Sequence, residues 1–282
     1  MNIYNIDGTS VIKQYANLTP AMRSTALYSL TGKTLSSKCE CFKKSGGSKF
    51  RGTSKSVFSV THSSGNHVAA LALAANLQRI PAYVVHYHIV TLIVPISGLY
   101  IPLSSMNLML LSCLFGFLIV NAKLKHVGGG LISGVVVGAK SRNPAIRVLV
   151  AEPKGADDAA QSKACGRLIT LSHTNTIADG LRASLGDITW PIVRDLVDDI
   201  ITVDDGEILE AMRYNYEVLK VAVEPSAAIG LAAVLSDNFK KNSRWNCSQN
   251  IGIVISGGEC GFRCSMGIAF TDYQDVIFLE GS

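Results

Sequence analysis

Charged residues are scarce in this chain of 282 residues: they make up only 17% of it, while hydrophobic residues make up 48%. This balance excludes an intrinsically disordered chain and leaves enough apolar side chains for a sizeable core. The net charge is +5 and the basic residues form no dense run, so we predict no nucleic-acid partner. The amino terminus lacks a basic stretch followed by an apolar one, so we expect no secretory signal and a cytoplasmic location.

No charged residue occurs between Arg79 and Lys123, and Met106–Val120 is nearly all apolar. A membrane-spanning helix needs about 20 such residues, so one hypothesis is a chain that crosses a membrane once. We do not favour a membrane partner, because such a helix would divide the two halves of one candidate site, described below, across the bilayer.

The seven cysteines are an odd number spread over the whole length, which predicts reduced thiols rather than a disulfide framework. Cys39 and Cys41 alternate along a predicted strand, Leu35–Phe42, and would share one of its faces. A zinc site needs about four closely spaced ligands, so we predict no zinc there.

Alternating strand and helix patterns predict an α/β fold with a mainly parallel sheet. In the first half, two predicted strands, Ser59–Thr61 and Pro81–Val85, flank a predicted helix, Ala69–Leu77. The second half repeats the alternation. Its predicted elements are a helix from Gly128 through Ala139, a strand Ile146–Ala151, helices Glu207–Leu219 and Pro225–Leu235, and a strand Ile251–Ile255.

Two glycine-rich or hydroxyl-rich segments are candidate anion sites. Ser63–His67 and Gly128–Gly130 each precede a predicted helix, where unpaired backbone N–H groups attract a carboxylate or a phosphate. The alternatives are an ordinary helix cap for the first segment and a tight turn for the second. Lys49 follows a glycine-rich turn, and a lysine buried there would suit covalent catalysis; a solvated loop lysine is the commoner alternative.

An acidic cluster, Glu152, Asp157 and Asp158, follows a predicted strand. Hard oxygen ligands at this spacing suit Mg²⁺ or Ca²⁺. On the spacing alone, a solvated acidic loop is the favoured interpretation.

Taken together, these motifs resemble one family, the serine racemases and threonine/serine dehydratases, which are fold-type II pyridoxal-phosphate (PLP) enzymes. The resemblance is strongest to the plant serine racemases. The matching segments, in family order, are Lys38–Phe42 with Lys49–Gly52, Thr61–His67, Ala151–Asp158, Thr176–Gly180 with the run to Asp199, Glu224-Pro225, and Ser256-Gly257-Gly258. The resemblance implies a tryptophan-synthase-β-like fold, a parallel sheet with helices on both faces, in an α/β chain whose small domain is truncated.

The resemblance also implies the residues of the site. Lys49 would form the Schiff base with PLP, and Ser64 would act as a second base on the opposite face of the substrate Cα. The implied cofactor-binding residues are Lys49, Asn66, Gly128, Gly129, Gly130, Leu131 and Ser256. The implied substrate-binding residues are Ser63, Ser64, Gly65, Asn66 and His67. The implied ligands of a divalent cation, Mg²⁺ or else Ca²⁺ or Mn²⁺, are Glu152, the Ala156 carbonyl and Asp158.

The sequence departs from the family pattern in three places. Residues 98–127 form an apolar insertion ahead of the glycine triplet, only a short apolar linker stands where most of the small domain is expected, and residues 259–282 form an atypical tail. We therefore assign residues 1–58 and 91–282 to a large PLP-binding domain and residues 59–90 to a remnant of the small domain.

The implied function is a PLP-dependent serine racemase with serine dehydratase (ammonia-lyase) activity. Its implied substrate is an amino acid, serine or threonine, and its implied assembly is a homodimer. Two alternatives remain open, a threonine dehydratase and a non-catalytic product of a mis-spliced transcript or pseudogene.

Overall fold

The computed structural model describes residues 18–43, 46–47, 60–62, 70–75, 82–86, 89–93, 100–103 and 128–258. The nine strands within these ranges are β1 Ala21–Met22, β2 Thr34–Cys39, β3 Val60–His62, β4 Ala82–His86, β5 Ile89–Ile93, β6 Tyr100–Leu103, β7 Leu149–Pro153, β8 Asp199–Val203 and β9 Asn250–Ile255. The helices are α1 Thr25–Thr31, α2 at 70–75, α3 Gly130–Arg142, α4 Asp158–Cys165, α5 Trp190–Leu196, α6 Asp205–Tyr214, α7 Pro225–Leu235, α8 Asp237–Lys241 and α9 Ser243–Asn246.

One sheet joins the first described strands to the last, in the order β1-β2-β9. β2 and β9 are parallel, and β1 adds to β2 in the antiparallel direction. Alternate residues of β2 are buried, as expected for a strand with one face against the core. Both parallel strands therefore end at the same edge of the sheet, at Cys39 and Ile255.

β2 ends three residues earlier than the predicted strand Leu35–Phe42. A short 3₁₀ turn, Glu40–Phe42, follows it. The buried Glu40 carboxylate at the start of this turn accepts a hydrogen bond from the Thr19 hydroxyl at 2.9 Å. The expectation that Cys39 and Cys41 share a strand face is therefore wrong. Both thiols are free and buried, and burial raises the pKa of Cys41 to about 11, so this thiol stays protonated at neutral pH.

A second sheet has the order β3-β4-β5-β6. β3 and β4 are parallel with the helical residues 70–75 between them in the chain, which confirms the predicted strand–helix–strand unit. The segment between Val85 and Val94, which is the short apolar linker expected in place of most of the small domain, contains β5, and β5 pairs antiparallel with β4. The expected domain boundary at residues 90 and 91 falls inside this strand, and β6 lies within the insertion 98–127.

The third sheet consists of the parallel pair β7 and β8. Helix α7 packs against both of these strands and against β9, so it joins two sheets. Nine of its eleven residues are buried, which is typical of a helix surrounded by core. The bounds of α7 are those of the predicted helix Pro225–Leu235. Strand β9 begins one residue before the predicted strand Ile251–Ile255 and ends at the same residue.

Helix α6 begins two residues before the predicted start at Glu207. Asp204 and Glu207 form a reciprocal capping box at its first turn, which satisfies two orphan backbone donors. The helix then changes to a π-helical turn, Asn215–Leu219, so the predicted helix through Leu219 is continuous but not uniform.

Candidate active site

The glycine triplet forms the start of helix α3. Gly129 occupies the N-cap position with a φ of 89°, in the left-handed region, and no side chain caps the helix. The first helical hydrogen bond runs from the Ser133 N–H to the Gly129 carbonyl oxygen at 3.0 Å. The N–H groups ahead of Ser133 therefore lie at an uncapped N-terminus, where the helix dipole favours an anion.

Gly128 is held by the segment 184–189. Its N–H donates to the Ser184 carbonyl oxygen at 3.0 Å, and its own carbonyl oxygen accepts from the Thr189 hydroxyl at 2.7 Å. A Cβ at Gly128 would lie 2.4 Å from the Ser184 oxygen, so only glycine fits. A Cβ at Gly130 would meet nothing within 4 Å, so the space beside Gly130 is open.

A second pair of glycine loops meets at the carboxyl end of β9. Gly47 and Gly257 form an antiparallel bridge, and the Gly258 N–H donates to the Gly46 carbonyl oxygen at 2.9 Å. Ser256 is the first residue after β9. The structure therefore brings the loop that precedes Lys49 against the Ser256 segment. Ligands bind at such carboxyl ends of parallel strands.

Glu224 is a residue of this region to which the sequence assigned no role. Its Oε1 atom lies 2.3 Å from the place where a Cβ of Gly257 would stand, and its N–H donates to the Gly257 carbonyl oxygen at 3.3 Å. Its carboxylate thus fills the space beside the segment that follows Ser256. The available signal was an acidic residue directly before a proline at the first position of a helix.

The predicted cation ligands lie at the end of β7 and the start of α4. Glu152, Ala156 and Asp158 are all buried. The two oxygens of Glu152 accept the N–H groups of Ala159 at 3.1 Å and Ala160 at 2.9 Å. Glu152 is therefore not the solvated loop residue of the alternative interpretation, and it caps helix α4 as well.

Electrostatics at Glu152 favour a compensating positive charge. Burial raises the pKa of this carboxyl to about 8, the two backbone hydrogen bonds oppose the rise, and the charges of Asp158 and Asp157 add to it. A divalent cation would offset this cost. Within the described ranges no three His, Cys, Asp or Glu side chains form a metal-binding group. The predicted set would not form such a group, because it has only two carboxylate side chains and takes its third ligand from a backbone carbonyl.

The cation segment and the glycine triplet contact the same stretch of chain. Asp158 accepts the Leu185 N–H at 2.8 Å, and Leu185 forms a parallel bridge with Gly128. Leu185 therefore connects the Asp158 carboxylate to Gly128, just before the start of helix α3.

The remaining predicted site residues lie outside the described ranges. These are Lys49, Ser63, Ser64, Gly65, Asn66 and His67. The apolar run Met106–Val120 also lies outside them. Of the helices that are described, none is both long enough and apolar enough to span a bilayer.

Comparison with known proteins identifies the family. The family described as "Pyridoxal-phosphate dependent enzyme" matches residues 126–257. Serine racemase of Oryza sativa subsp. indica is 49% identical over 301 residues, covering 88% of this chain and 87% of the rice protein. The structure of maize serine racemase has 44% identity and a TM-score of 0.77, covering 91% of this chain and 92% of that chain.

The chain belongs to the serine racemase family of pyridoxal-phosphate-dependent enzymes. This membership confirms the predicted α/β fold of type II. The crystal structure of a threonine deaminase is more distant, with 30% identity and a TM-score of 0.72 over 90% of this chain and 96% of its own. The comparisons thus favour the serine racemases over the threonine dehydratases.

The family match covers the described candidate site residues in the second half of the chain. The matched residues 126–257 include the glycine triplet, the cation segment and Ser256. The alignment with the rice protein has 301 positions but takes in only 88% of this 282-residue chain, so the rice protein has residues with no counterpart here.

Proposed function

We propose that this chain binds PLP, interconverts L- and D-serine, and dehydrates serine. The observation that carries the proposal is the uncapped start of helix α3 at a glycine triplet, with open space beside Gly130. When bound, PLP withdraws electrons from the substrate Cα and so acidifies the hydrogen at that carbon.

The phosphate group would be held by the triplet and Leu131. The N–H groups of Gly130 and Leu131 lie in the first turn of a helix of 13 residues, which is a favourable place for a phosphate. The absence of a side chain at Gly130 leaves room for the anion. The half-buried Ser256 hydroxyl would donate to the pyridine nitrogen and leave it unprotonated.

Two bases would act on the substrate Cα, one from each face. Lys49 would remove or return a proton on one face, and Ser64 would do so on the other. The proposal for Lys49 is supported by its place two residues after Gly47, which is bridged to Gly257. Ser63, Gly65, Asn66 and His67 would bind the substrate carboxylate or the cofactor.

Serine is the proposed substrate rather than threonine. The support is the higher identity to the rice and maize serine racemases, at 49% and 44%, than to the threonine deaminase, at 30%. Turnover of threonine far faster than serine would contradict this choice.

A divalent cation, Mg²⁺ with Ca²⁺ and Mn²⁺ as substitutes, is proposed at Glu152, the Ala156 carbonyl and Asp158. The support is chemical, because carboxylate and carbonyl oxygens are the ligands that these cations prefer, and because burial raises the pKa of the Glu152 carboxyl to about 8. The cation would neutralise buried charge and fix the segment between β7 and α4. We further propose a cytoplasmic homodimer, on the basis of the resemblance.

The proposal is tested by adding PLP to the purified chain and recording its absorbance spectrum. We expect a new band near the visible edge that is absent from Lys49→Ala. We also expect Gly130→Ala to weaken PLP binding, because its methyl group would occupy the open space. The matched control is Gly138→Ala in the same helix, where a Cβ likewise meets nothing within 4 Å.

The outcomes separate the proposed enzyme from its alternatives. A Lys49-dependent band together with formation of D-serine and pyruvate from L-serine supports the racemase and dehydratase. Absence of any band would support the non-catalytic alternative. Equal PLP binding by the Gly130→Ala and wild-type chains would contradict the location of the phosphate.

A further inference from the structure

The hydroxyl group of Thr189 has an unusual set of partners. Thr189 occupies the N-cap position of helix α5, yet its side chain makes no capping hydrogen bond to that helix. Threonine at an N-cap usually accepts an N–H of its own first turn. Here the hydroxyl instead lies 2.7 Å from the carbonyl oxygen of Gly128, which is 61 residues away along the chain.

A single hydroxyl hydrogen limits what Thr189 can do. Two carbonyl oxygens are within reach, that of Gly128 at 2.7 Å and that of Gly186 at 3.1 Å. The shorter distance identifies Gly128 as the acceptor. The hydroxyl oxygen in turn accepts the Gly186 N–H at 3.2 Å, so Thr189 joins the glycine triplet to the segment before α5.

The same side chain also leaves no room for a Cβ at Gly129. An ideal Cβ at Gly129 would lie 3.0 Å from the Thr189 Oγ1 atom and 2.7 Å from the Leu185 Cδ2 atom. Thr189 thus lies against Gly128 and Gly129, whereas a Cβ at Gly130 would meet nothing within 4 Å. The Gly128 carbonyl and the Gly129 N–H belong to one planar peptide unit, so the bond from Thr189 sets the direction of that N–H, which directly precedes the first turn of α3.

We propose that Thr189 is a positioning residue for the phosphate site: its hydroxyl fixes the Gly128 carbonyl so that the N–H groups at the start of α3 point at the PLP phosphate. This inference rests on the proposed function, since it assumes that the phosphate binds at the triplet. Thr189 itself does not touch the phosphate and is no catalytic residue.

The test compares PLP affinity among variants of the full-length chain. Thr189→Val keeps the shape and removes the hydroxyl, and Thr189→Ser keeps the hydroxyl. The matched control is Thr31→Val, because the Thr31 hydroxyl donates to the Leu27 carbonyl oxygen at the same 2.7 Å but lies in helix α1. Dissociation constants come from fluorescence titration of the apoprotein, and the ³¹P chemical shift of bound PLP reports the hydrogen bonds to its phosphate.

We expect Thr189→Val to bind PLP about fivefold more weakly, the loss equivalent to one net hydrogen bond, with a shifted ³¹P resonance. Thr189→Ser and Thr31→Val should retain the wild-type affinity and resonance. A purely structural Thr189 would instead lower the melting temperature of Thr189→Val and leave its PLP affinity unchanged, which would overturn the inference. If Thr189→Val does not fold, equal loss of affinity in Thr189→Ser and in Thr189→Ala would overturn it.

The two levels of the proposal fail in different ways. A wild-type chain that binds no PLP overturns the proposed function and this inference with it. A wild-type chain that binds PLP, with unchanged affinity in Thr189→Val, overturns the role of Thr189 alone.

Discussion

The Gly258 N–H donates to the Gly46 carbonyl oxygen at 2.9 Å, joining two loops that are distant in the sequence. Gly46 lies three residues before Lys49, and Gly258 lies two residues after Ser256. The bond is made by backbone groups alone, and the adjacent Gly47–Gly257 bridge extends it. The loop that precedes Lys49 and the segment that follows Ser256 are therefore held together by close approach of their backbones.

Gly258→Ala should disrupt this approach. Its Cβ would lie 2.8 Å from the Ala222 carbonyl oxygen and 3.3 Å from the Cys41 Cβ atom, and neither atom belongs to a flexible side-chain end. We expect a loss of about 1–3 kcal/mol in the free energy of unfolding, typical of overpacking, measured by urea denaturation. PLP binding should weaken as well.

Gly252→Ala is the matched control for this variant. Gly252 lies in β9, only six residues earlier, and its Cβ would meet nothing within 4 Å. We expect a change within about 0.5 kcal/mol. Equal stability of the Gly258→Ala and Gly252→Ala chains would show that the two loops are not closely packed in solution.

The elements that the sequence predicts well are those defined by local pattern. Helix α7 begins at a proline and runs through an alanine-rich, mostly apolar stretch, and β9 is a β-rich run that ends before Ser256. The end of β2 is predicted less well, because the chain turns at Glu40, where the buried carboxylate contacts Thr19, 21 residues earlier in the sequence. A contact between residues that far apart leaves no periodic signal.

The candidate site also has parts that the sequence predicts and parts that it does not. The glycine triplet and the acidic segment are visible as motifs because each is contiguous in the sequence. The contact of Thr189 with Gly128 and that of Glu224 with Gly257 are not visible there, since only the folded chain makes them.

Gly155→Ala should alter the cation segment. A Cβ at this position would lie 1.6 Å from the Asn175 carbonyl oxygen, which leaves no room for a methyl group, so the loop between β7 and α4 must move. We expect a lowered melting temperature and loss of the stabilisation that Mg²⁺ gives to the wild-type chain, both measured by scanning calorimetry. Gly138→Ala serves as the control, and retention of the Mg²⁺ effect in Gly155→Ala would contradict the proposed cation site.

The raised pKa of Glu152 predicts a pH dependence of stability. The native carboxyl has a pKa of about 8 against an ordinary value of 4.5, so between these pH values the native state holds a proton that the unfolded state has lost. Stability of the metal-free chain should therefore fall as pH rises from about 4.5 to 8. Bound Mg²⁺ favours the ionised carboxylate, so the stabilisation by Mg²⁺ should increase over the same range. Urea denaturation with Mg²⁺ or with a chelator measures both.

Glu152→Gln tests the source of this pH dependence. The amide does not titrate, so the fall in stability between about pH 4.5 and 8 should flatten and the Mg²⁺ effect should vanish. One of the N–H groups of Ala159 and Ala160 would lose its acceptor, at a cost of about 1 kcal/mol. Asp237→Asn is the control, because Asp237 is exposed and pairs with Lys241. An unchanged pH profile in Glu152→Gln would assign the dependence to other groups.

The contact between Asp158 and Leu185 predicts that cation and cofactor bind cooperatively. The Asp158 carboxylate accepts the Leu185 N–H at 2.8 Å, and Leu185 is bridged to Gly128. A cation that fixes Asp158 would thereby fix the start of α3, so Mg²⁺ should tighten PLP binding, and by linkage PLP should tighten Mg²⁺ binding by the same factor. We expect about fivefold, the lower end of typical coupling, from PLP titrations with Mg²⁺ and with a chelator.

Asp158→Asn separates this coupling from a general effect of salt. The asparagine oxygen can still accept the Leu185 N–H, but the side chain no longer carries the charge that attracts the cation, so the Mg²⁺ dependence of PLP affinity should disappear while binding in chelator stays near the wild-type value. Asp237→Asn should retain the full dependence. If PLP affinity is the same with and without Mg²⁺ in the wild-type chain, the two sites are independent, and the segment 184–186 transmits no coupling between them.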